Sequence, residues 1–160
     1  MMQGWLLWVA QGFGLGRIPV APGTFGSLAG LLWLALLLHT GNFWLFIALM
    51  VAGWGVSVWL CGLAEKTLRQ TDPSSVVLDE IVALPLCFLP MVAADWFRHG
   101  RLPDLEILFG DRSWWITLIV FLLFRLFDVY KPWPVRQSQC LPGGWGVTVD
   151  DVLAAAYVAL

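Results

Sequence analysis

Long uncharged runs separated by short polar stretches organise this chain. Phe43 to Ala64 is 22 residues without a charge; as a helix it reaches about 33 Å, enough for a hydrocarbon core of about 30 Å. Upstream, Leu28 to Leu38 is uncharged but short, and His39-Thr40-Gly41-Asn42 reads as the turn of a helical hairpin. The first helix must therefore borrow residues from the Gly/Ser stretch before it, or stay partly buried against its partner. A third apolar run goes from Ile81 to Ala94, and a fourth, broken only by Arg125, from Trp114 to Phe127. Both are shorter than about 20 residues, so flanking residues or a locally thin bilayer must complete them. Trp44, Trp96, Trp114 and Trp115 stand at the ends of these runs, where amphipathic rings favour the headgroup zone. A last stretch, Val152 to Leu160, has nine residues, about 14 Å of helix, and cannot span alone. The pattern predicts an all-α fold: a small polytopic membrane helical bundle with a glycine-rich loop at its entrance and short or re-entrant terminal segments, one domain over residues 1–160.

Composition agrees with lipid as the main solvent. Of the 160 residues 59% are apolar and only 12% are charged, about half the charge usual in a soluble domain, and mean hydropathy is +0.78. A net charge of −2 argues against a nucleic-acid partner, which needs a basic surface. Cys61, Cys87 and Cys140 are widely spaced and form no C-x-x-C pair, so they read as reduced, small hydrophobes. Met1-Met2-Gln3-Gly4 places no basic side chain ahead of Trp5–Ala10, and a signal peptide is not expected.

Followed across a bilayer, four spans put the loop Gly12–Ser27, the segment Glu65–Glu80 and the segment Asp128–Asp151 on one face. That face holds Arg17, Lys66, Arg69, Arg125, Lys131 and Arg136, against Arg98, Arg101 and Arg112 opposite. The excess of Lys and Arg marks it as cytoplasmic. Both histidines, His39 and His99, map to the other side.

The same face gathers acids against apolar helix: Asp79-Glu80 open the third helix, Asp128 closes the fourth, and Asp150-Asp151 open the last segment. Each pair alone is compatible with helix capping. Asp128 sits at the unfavourable end of its helix dipole and needs a positive partner, which Arg125, three residues earlier, supplies either as a structural salt bridge or as part of a site. Lys131-Pro132-Trp133-Pro134 reads as a stiff extended exit from the membrane. Several carboxylates at one interface repel unless a cation sits among them, and hard oxygen ligands without His or Cys suit Mg²⁺. Arg125, Lys131 and Arg136 would supply the anion half of such a site, which points to phosphoryl chemistry.

Gly12 to Ser27 is rich in glycine but is neither a dinucleotide fingerprint nor a P-loop, having Arg17 where the third glycine belongs and no Gly-Lys-Ser/Thr. Pro22-Gly23 fits a type II turn. Thr24 or Ser27 is expected to cap the following helix, whose N-terminal N–H groups can hold a phosphate. Gly26 and Gly30 equally form a small-xxx-small pair for close helix packing. Gly143-Gly144-Trp145-Gly146 is expected to let the backbone fold back and bring Asp150 and Asp151 towards the other acids.

Four blocks in order resemble the phosphatidylglycerophosphatase A family: Gly12 to Gly30 with its Pro-Gly-Thr-x-Gly-Ser core, Asp79-Glu80-x-Val82, Phe124-Arg125-x-x-Asp128-x-x-Lys131-Pro132-Trp133-Pro134, and Gly143-Gly144-x-Gly146-Val147-x-x-Asp150-Asp151. The chain departs from the family pattern at Ala83 and Ala154-Ala155, where glycine is usual after Asp-Glu-x-Val and in the Ala-Gly that follows the Asp pair. It also ends at Leu160, where the family continues into a full final helix, so a short stub or a truncated chain is expected. The resemblance implies a Mg²⁺-dependent enzyme of a bacterial inner membrane, with its site facing the cytoplasm, that removes the terminal phosphate of phosphatidylglycerophosphate to give phosphatidylglycerol. Asp79, Glu80, Asp128, Asp150 and Asp151 would be catalytic and metal-ligating residues, with attack by an Asp or by a water both compatible. Thr24, Ser27, Arg125, Lys131 and Arg136 would bind the lipid phosphate. The rival from another class is a small transporter or channel-like subunit, but its carboxylates should stand near the midplane of apolar runs, whereas these acids sit at run ends. A phosphotransferase joining an alcohol to an activated lipid lacks its Asp-Gly-x-x-Ala-Arg signature here.

Overall fold

A computed structural model describes residues 2–111 and 113–160 of the chain, all of them in helices, turns or irregular segments with no strand. Met1 and Arg112 lie outside the described residues, and with Arg112 goes its expected place on the far face. Helix α1 (Met2–Ala10) leads into a 3-10 segment, Gly12–Arg17. Gln11 ties this segment down: its side-chain oxygen accepts from Arg17 Nε at 2.9 Å, and its Nε2 donates to Ser75 Oγ at 3.2 Å.

Helix α2 (Pro22–Leu38) begins earlier than the uncharged run, drawing its first turns from the Gly/Ser stretch. Pro22 occupies the first helical turn, where a missing N–H removes no helical bond, and Ala21 ahead of it is left-handed at φ 48°. Pro22-Gly23 thus open a helix rather than forming the centre of a type II turn. Thr24 and Ser27 lie inside that helix, and neither caps it. The hairpin turn at His39–Asn42 is as expected. Asn42 caps α3 (Phe43–Leu68), its Oδ1 accepting from the Leu45 N–H at 3.1 Å.

The third run is one continuous helical path of three parts: α4 (Leu78–Ala83), a 3-10 segment (Leu84–Phe88) and α5 (Leu89–His99). Pro85 and Pro90 each withdraw a backbone donor, and between them the helix tightens. A short α6 (Glu106–Phe109) precedes α7 (Trp114–Tyr130), which a left-handed Lys131 at φ 48° terminates. Lys131 to Pro134 is therefore a turn, not an extended exit, and it leads into α8 (Val135–Ser138). Two paths, Phe43–Leu68 and Leu78–His99, are long and apolar enough to cross a membrane, with mean hydropathies of 2.0 and 1.6. Helices α2 and α7 have 17 residues each, about 26 Å.

The largest departure from the sequence reading is α9 (Gly144–Ala159), a 16-residue helix in which Asp150 and Asp151 are central rather than initial. Gly143 turns the chain into this helix at φ 59°, the fold-back expected of the glycine cluster, and Gly144 serves close packing: a Cβ on it would overlap the Val58 carbonyl of α3. The same device seats α2 on α4, since a Cβ at Gly26 would lie 2.8 Å from Val77 Cβ and one at Gly30 2.8 Å from Leu84 Cβ. This is the small-xxx-small approach the spacing predicts.

Helix α9 packs against α3, α4, α7 and α8, and Leu34, Phe46, Phe88, Phe124 and Val135 fill the core around it. Ala83 and Ala155, which stand where the resembled pattern carries glycine, are fully buried. Outside, Leu32, Leu36, Trp59, Leu122 and Leu126 are exposed, an inverted arrangement that suits hydrocarbon. Trp44, Trp114 and Trp115 are exposed, whereas Trp96 stacks on Phe43 with ring centroids 5.6 Å apart and is a packing residue. Cys61 and Cys87 are buried and Cys140 is exposed, all three free.

Candidate active site

Three helices bring their acids to one cavity of about 220 Å³. Asp79 and Glu80 come from the first turn of α4, Asp128 from the last turn of α7, and Asp150 and Asp151 from the middle of α9. Asp79, Asp128, Asp150 and Asp151 are all buried. The sequence-predicted carboxylates thus share a single site, although they are up to 72 positions apart.

Within it they divide by partner. Arg125 Nη1 donates to Asp128 Oδ2 at 2.5 Å and stands 3.8 Å from Glu80 Oε1. Its third neighbour is Ser27 Oγ, which accepts from it at 3.3 Å and itself donates to the Gly23 carbonyl at 2.9 Å. Lys131 Nζ donates to Asp150 Oδ2 at 2.5 Å, and Gln139 Nε2 reaches the same oxygen at 3.0 Å. Burial alone would weaken the hold of Lys131 on its proton. The hydrogen bond to Asp150 and the charges of Asp150, Asp151 and Asp128 outweigh that and raise its pKa above the ordinary lysine value of 10.5.

Asp79 and Asp151 have no such cation among the described residues, and Glu80 shares Arg125 with Asp128 at the longer distance. One carboxylate oxygen from each of Asp79, Glu80 and Asp151 lies within 4.8 Å of the others, and Glu80 Oε2 is buried without a hydrogen-bond partner. Six acids line the cavity, Asp72 among them, against Arg125 and Lys131, so acids outnumber cations by four among the described residues. Like charges this close in a poorly solvated cavity are costly unless a cation or protons intervene.

Backbone and small groups complete the cavity. Gly23 lies against both halves: a Cβ there would overlap Glu80 Oε1 and approach the Arg125 guanidinium to 3.1 Å. Thr24 is half-buried in α2 and does not line the cavity. Ser27 reaches the site only through Arg125. Arg136 is exposed on α8 and outside the lining, so the structure does not bring it to the other cations. The sequence reading did not assign roles to Asp72, Ser74 and Gln139. Asp72 and Ser74 line the cavity, and Gln139 Nε2 links Asp72 Oδ2, at 3.3 Å, to Asp150. The polar segment Thr71-Asp72-Pro73-Ser74-Ser75 between two apolar runs is the visible signal for Asp72 and Ser74, and Gln139 has none.

Comparison with known proteins adds an independent line. The family model described as Phosphatidylglycerophosphatase A matches residues 8–160. A Bacteroides thetaiotaomicron protein, by name a candidate phosphatidylinositol-3-phosphatase, is 38% identical over 93% of this chain and 86% of its own length. The Haemophilus influenzae phosphatidylglycerophosphatase A is 35% identical over 95% of this chain and 83% of its own length. The Escherichia coli phosphatidylglycerophosphatase A is 32% identical over 99% and 81%. No solved structure matches the chain.

Proposed function

The chain belongs to the phosphatidylglycerophosphatase A family, whose members so named are phosphoric monoester hydrolases, and from this premise we propose that it is a Mg²⁺-dependent lipid phosphatase. Its substrate is the terminal phosphate of phosphatidylglycerophosphate, and its product phosphatidylglycerol. It works in a bacterial inner membrane as a multi-pass protein with the site at the cytoplasmic face. The observation that carries this reading is the pairing in one cavity of a close carboxylate trio, in a site where acids outnumber cations, with two cations that keep free donors.

Asp79, Glu80 and Asp151 fit a hard divalent ion: three oxygen donors lie within 4.8 Å of one another, and Glu80 Oε2 is a buried acceptor with no hydrogen-bond partner. When bound, Mg²⁺ supplies Lewis-acid stabilisation of charge on the transferring phosphate. The remaining steps belong to side chains. Arg125 spends one nitrogen on Asp128 and keeps other guanidinium donors for phosphate oxygens. Lys131 likewise gives one of its three protons to Asp150. Asp128 and Asp150 hold these cations in place, and the Gly23 backbone leaves room for the phosphate between them. Over the net hydrolysis, whether an Asp or a water attacks first, the P–O bond to the glycerol oxygen breaks, water supplies the oxygen of the new P–O bond, and a proton of that water ends on the leaving alcohol.

A second substrate is favoured by one finding, the phosphatidylinositol-3-phosphatase name of the Bacteroides relative. Both lipids present a phosphate monoester beyond a glycerophospholipid diester. Phosphate release by purified protein is therefore measured with each, with Mg²⁺ and with excess chelator. The expected result is faster release from phosphatidylglycerophosphate, abolished by chelator. Full activity in chelator removes the metal from the mechanism, and preference for phosphatidylinositol 3-phosphate reassigns the substrate.

A further inference from the structure

Beside the charged cavity lies an apolar cleft of about 410 Å³ between the 3-10 segment and the outer side of α2. Gly12, Phe13 and Leu15 form one wall and Ala29, Leu32 and Leu36 the other, with Ile81 of α4 at its base. Nothing in the phosphate chemistry uses it. Resting on the lipid-phosphatase reading, we propose that this cleft is the acyl-chain site that sets how far a lipid headgroup reaches into the cavity.

The two spaces are joined by the elements that build them. Helix α2 contributes Pro22 and Gly23 to the polar cavity and Ala29, Leu32 and Leu36 to the cleft. From Gly23 to Ala29 the helix rises about 9 Å, a separation suited to the polar linkage between a terminal phosphate and the acyl esters of a glycerolipid. Helix α4 does the same with consecutive residues, Glu80 in the cavity and Ile81 in the cleft. Charge and polarity therefore change along one path in the order that such a lipid presents them: anion first, then hydrocarbon.

The wall opposite α2 is formed by the 3-10 segment. Phe13 is 62% exposed at φ 58°, a backbone region unfavourable for a bulky side chain, and its ring meets Trp8 edge-on at 5.2 Å. Gly12 allows the segment to approach α4, since a Cβ there would lie 2.7 Å from Val77 Cγ2 and 3.0 Å from Ile81 Cδ1. The second apolar cleft, between α3 and α9, has about 260 Å³. Only α9 serves both that cleft and the polar cavity, whereas α2 and α4 both join the first cleft to it, and the buried Ser57–Thr148 hydrogen bond, 2.9 Å long, ties α3 to α9 there.

An acyl chain moving from bilayer to cleft exchanges one apolar surrounding for another and gains little affinity. The benefit is registration: a phosphate misplaced by about 1 Å can lose about 100-fold in rate. Blocking the cleft should therefore penalise long-chain lipids selectively.

The test uses the full chain in detergent micelles, with phosphatidylglycerophosphate bearing either oleoyl or hexanoyl chains. Leu32→Trp, at a position already 67% exposed, and Ala29→Phe both narrow the cleft. Each is expected to lower the ratio of oleoyl to hexanoyl kcat/KM by about tenfold or more, while Val51→Trp in the other cleft leaves that ratio at the wild-type value. An unchanged ratio in Leu32→Trp, or an equal fall in Val51→Trp, overturns the proposal. A phospholipid carrying a diazirine near its acyl terminus gives a second readout that does not need turnover. Its cross-links are expected on residues 12–15 and 29–36, and labelling centred on α3 and α9 instead overturns the acyl site. Cross-linking at α2 by a wild-type protein that releases no phosphate supports the site and rejects the phosphatase reading.

Discussion

Replacing Arg125 with methionine separates a strut from a phosphate-binding group. The guanidinium is 20% exposed and the Asp128 carboxylate 11%, so the pair is largely removed from water. Breaking such a pair costs about 3–5 kcal/mol because the surviving charge is left without a partner. With a fifth of the guanidinium still solvated, the lower end, about 3 kcal/mol, is expected for Arg125→Met. For a chain of this size that corresponds to a fall in Tm of about 6–12 °C. Activity should fall further, by about 100- to 1000-fold, as when one preorganised donor to developing charge is lost. Arg125→Met/Asp128→Leu removes both charges and is expected to recover most of the stability and none of the activity. Thermal melts in detergent and phosphate release from the same preparations supply both readings. Recovery of turnover in the double variant would show that the pair only braces α7, and the assignment of Arg125 to phosphate would then be wrong.

Three further outcomes are expected. Glu80→Gln keeps the shape of the carboxylate trio but removes one charge, so the Mg²⁺ concentration for half-maximal activity should rise by about tenfold or more; an unchanged requirement takes Glu80 out of the ligand set. Gly23→Ala puts a methyl where Glu80 Oε1 already lies and should cut kcat by about 100-fold with little loss of expression, whereas wild-type turnover means that the phosphate does not pass this point. In a Cys140→Ser background, His39→Cys and Gln70→Cys, both at exposed positions, should react with a membrane-impermeant thiol reagent from opposite sides of sealed vesicles, and labelling from one side contradicts the spanning of α3.

The hydropathy pattern located the cores of α2, α3 and α7 because hydrocarbon-facing residues need no period, only an absence of charge. It could not locate their ends. Helix α3 continues through Glu65 and Lys66 to Leu68, where water and the helix dipole tolerate charges that the pattern takes as a boundary. The gathering of the carboxylates was readable from a topology that returned Asp79-Glu80, Asp128 and Asp150-Asp151 to one face. The division of labour among them was not, since it depends on which acids Arg125 and Lys131 reach, and that is decided by rotamers and by the left-handed turn at Lys131. Gly143-Gly144-Trp145-Gly146 holds two uses at once: Gly143 turns the chain at φ 59° as expected, and Gly144 seats α9 on α3. Glycine in a sequence signals either backbone freedom or close approach, and only the neighbour, here Val58 of α3, tells which. For the same reason Thr24 and Ser27 read as caps when the proline before them had already started the helix.

The central position of Asp150 and Asp151 on α9 has a mechanical outcome. Neighbours on a helix point about 100° apart, so one carboxylate grips Lys131 and Gln139 while the next faces Asp79 and Glu80. A single rod thus carries both halves of the chemistry, and any slip or roll moves them together. The stop that fixes its seating is six residues away, where bare Gly144 rests on the backbone of α3. Bulk added there should detune the whole centre at a distance, without altering one ionisable group.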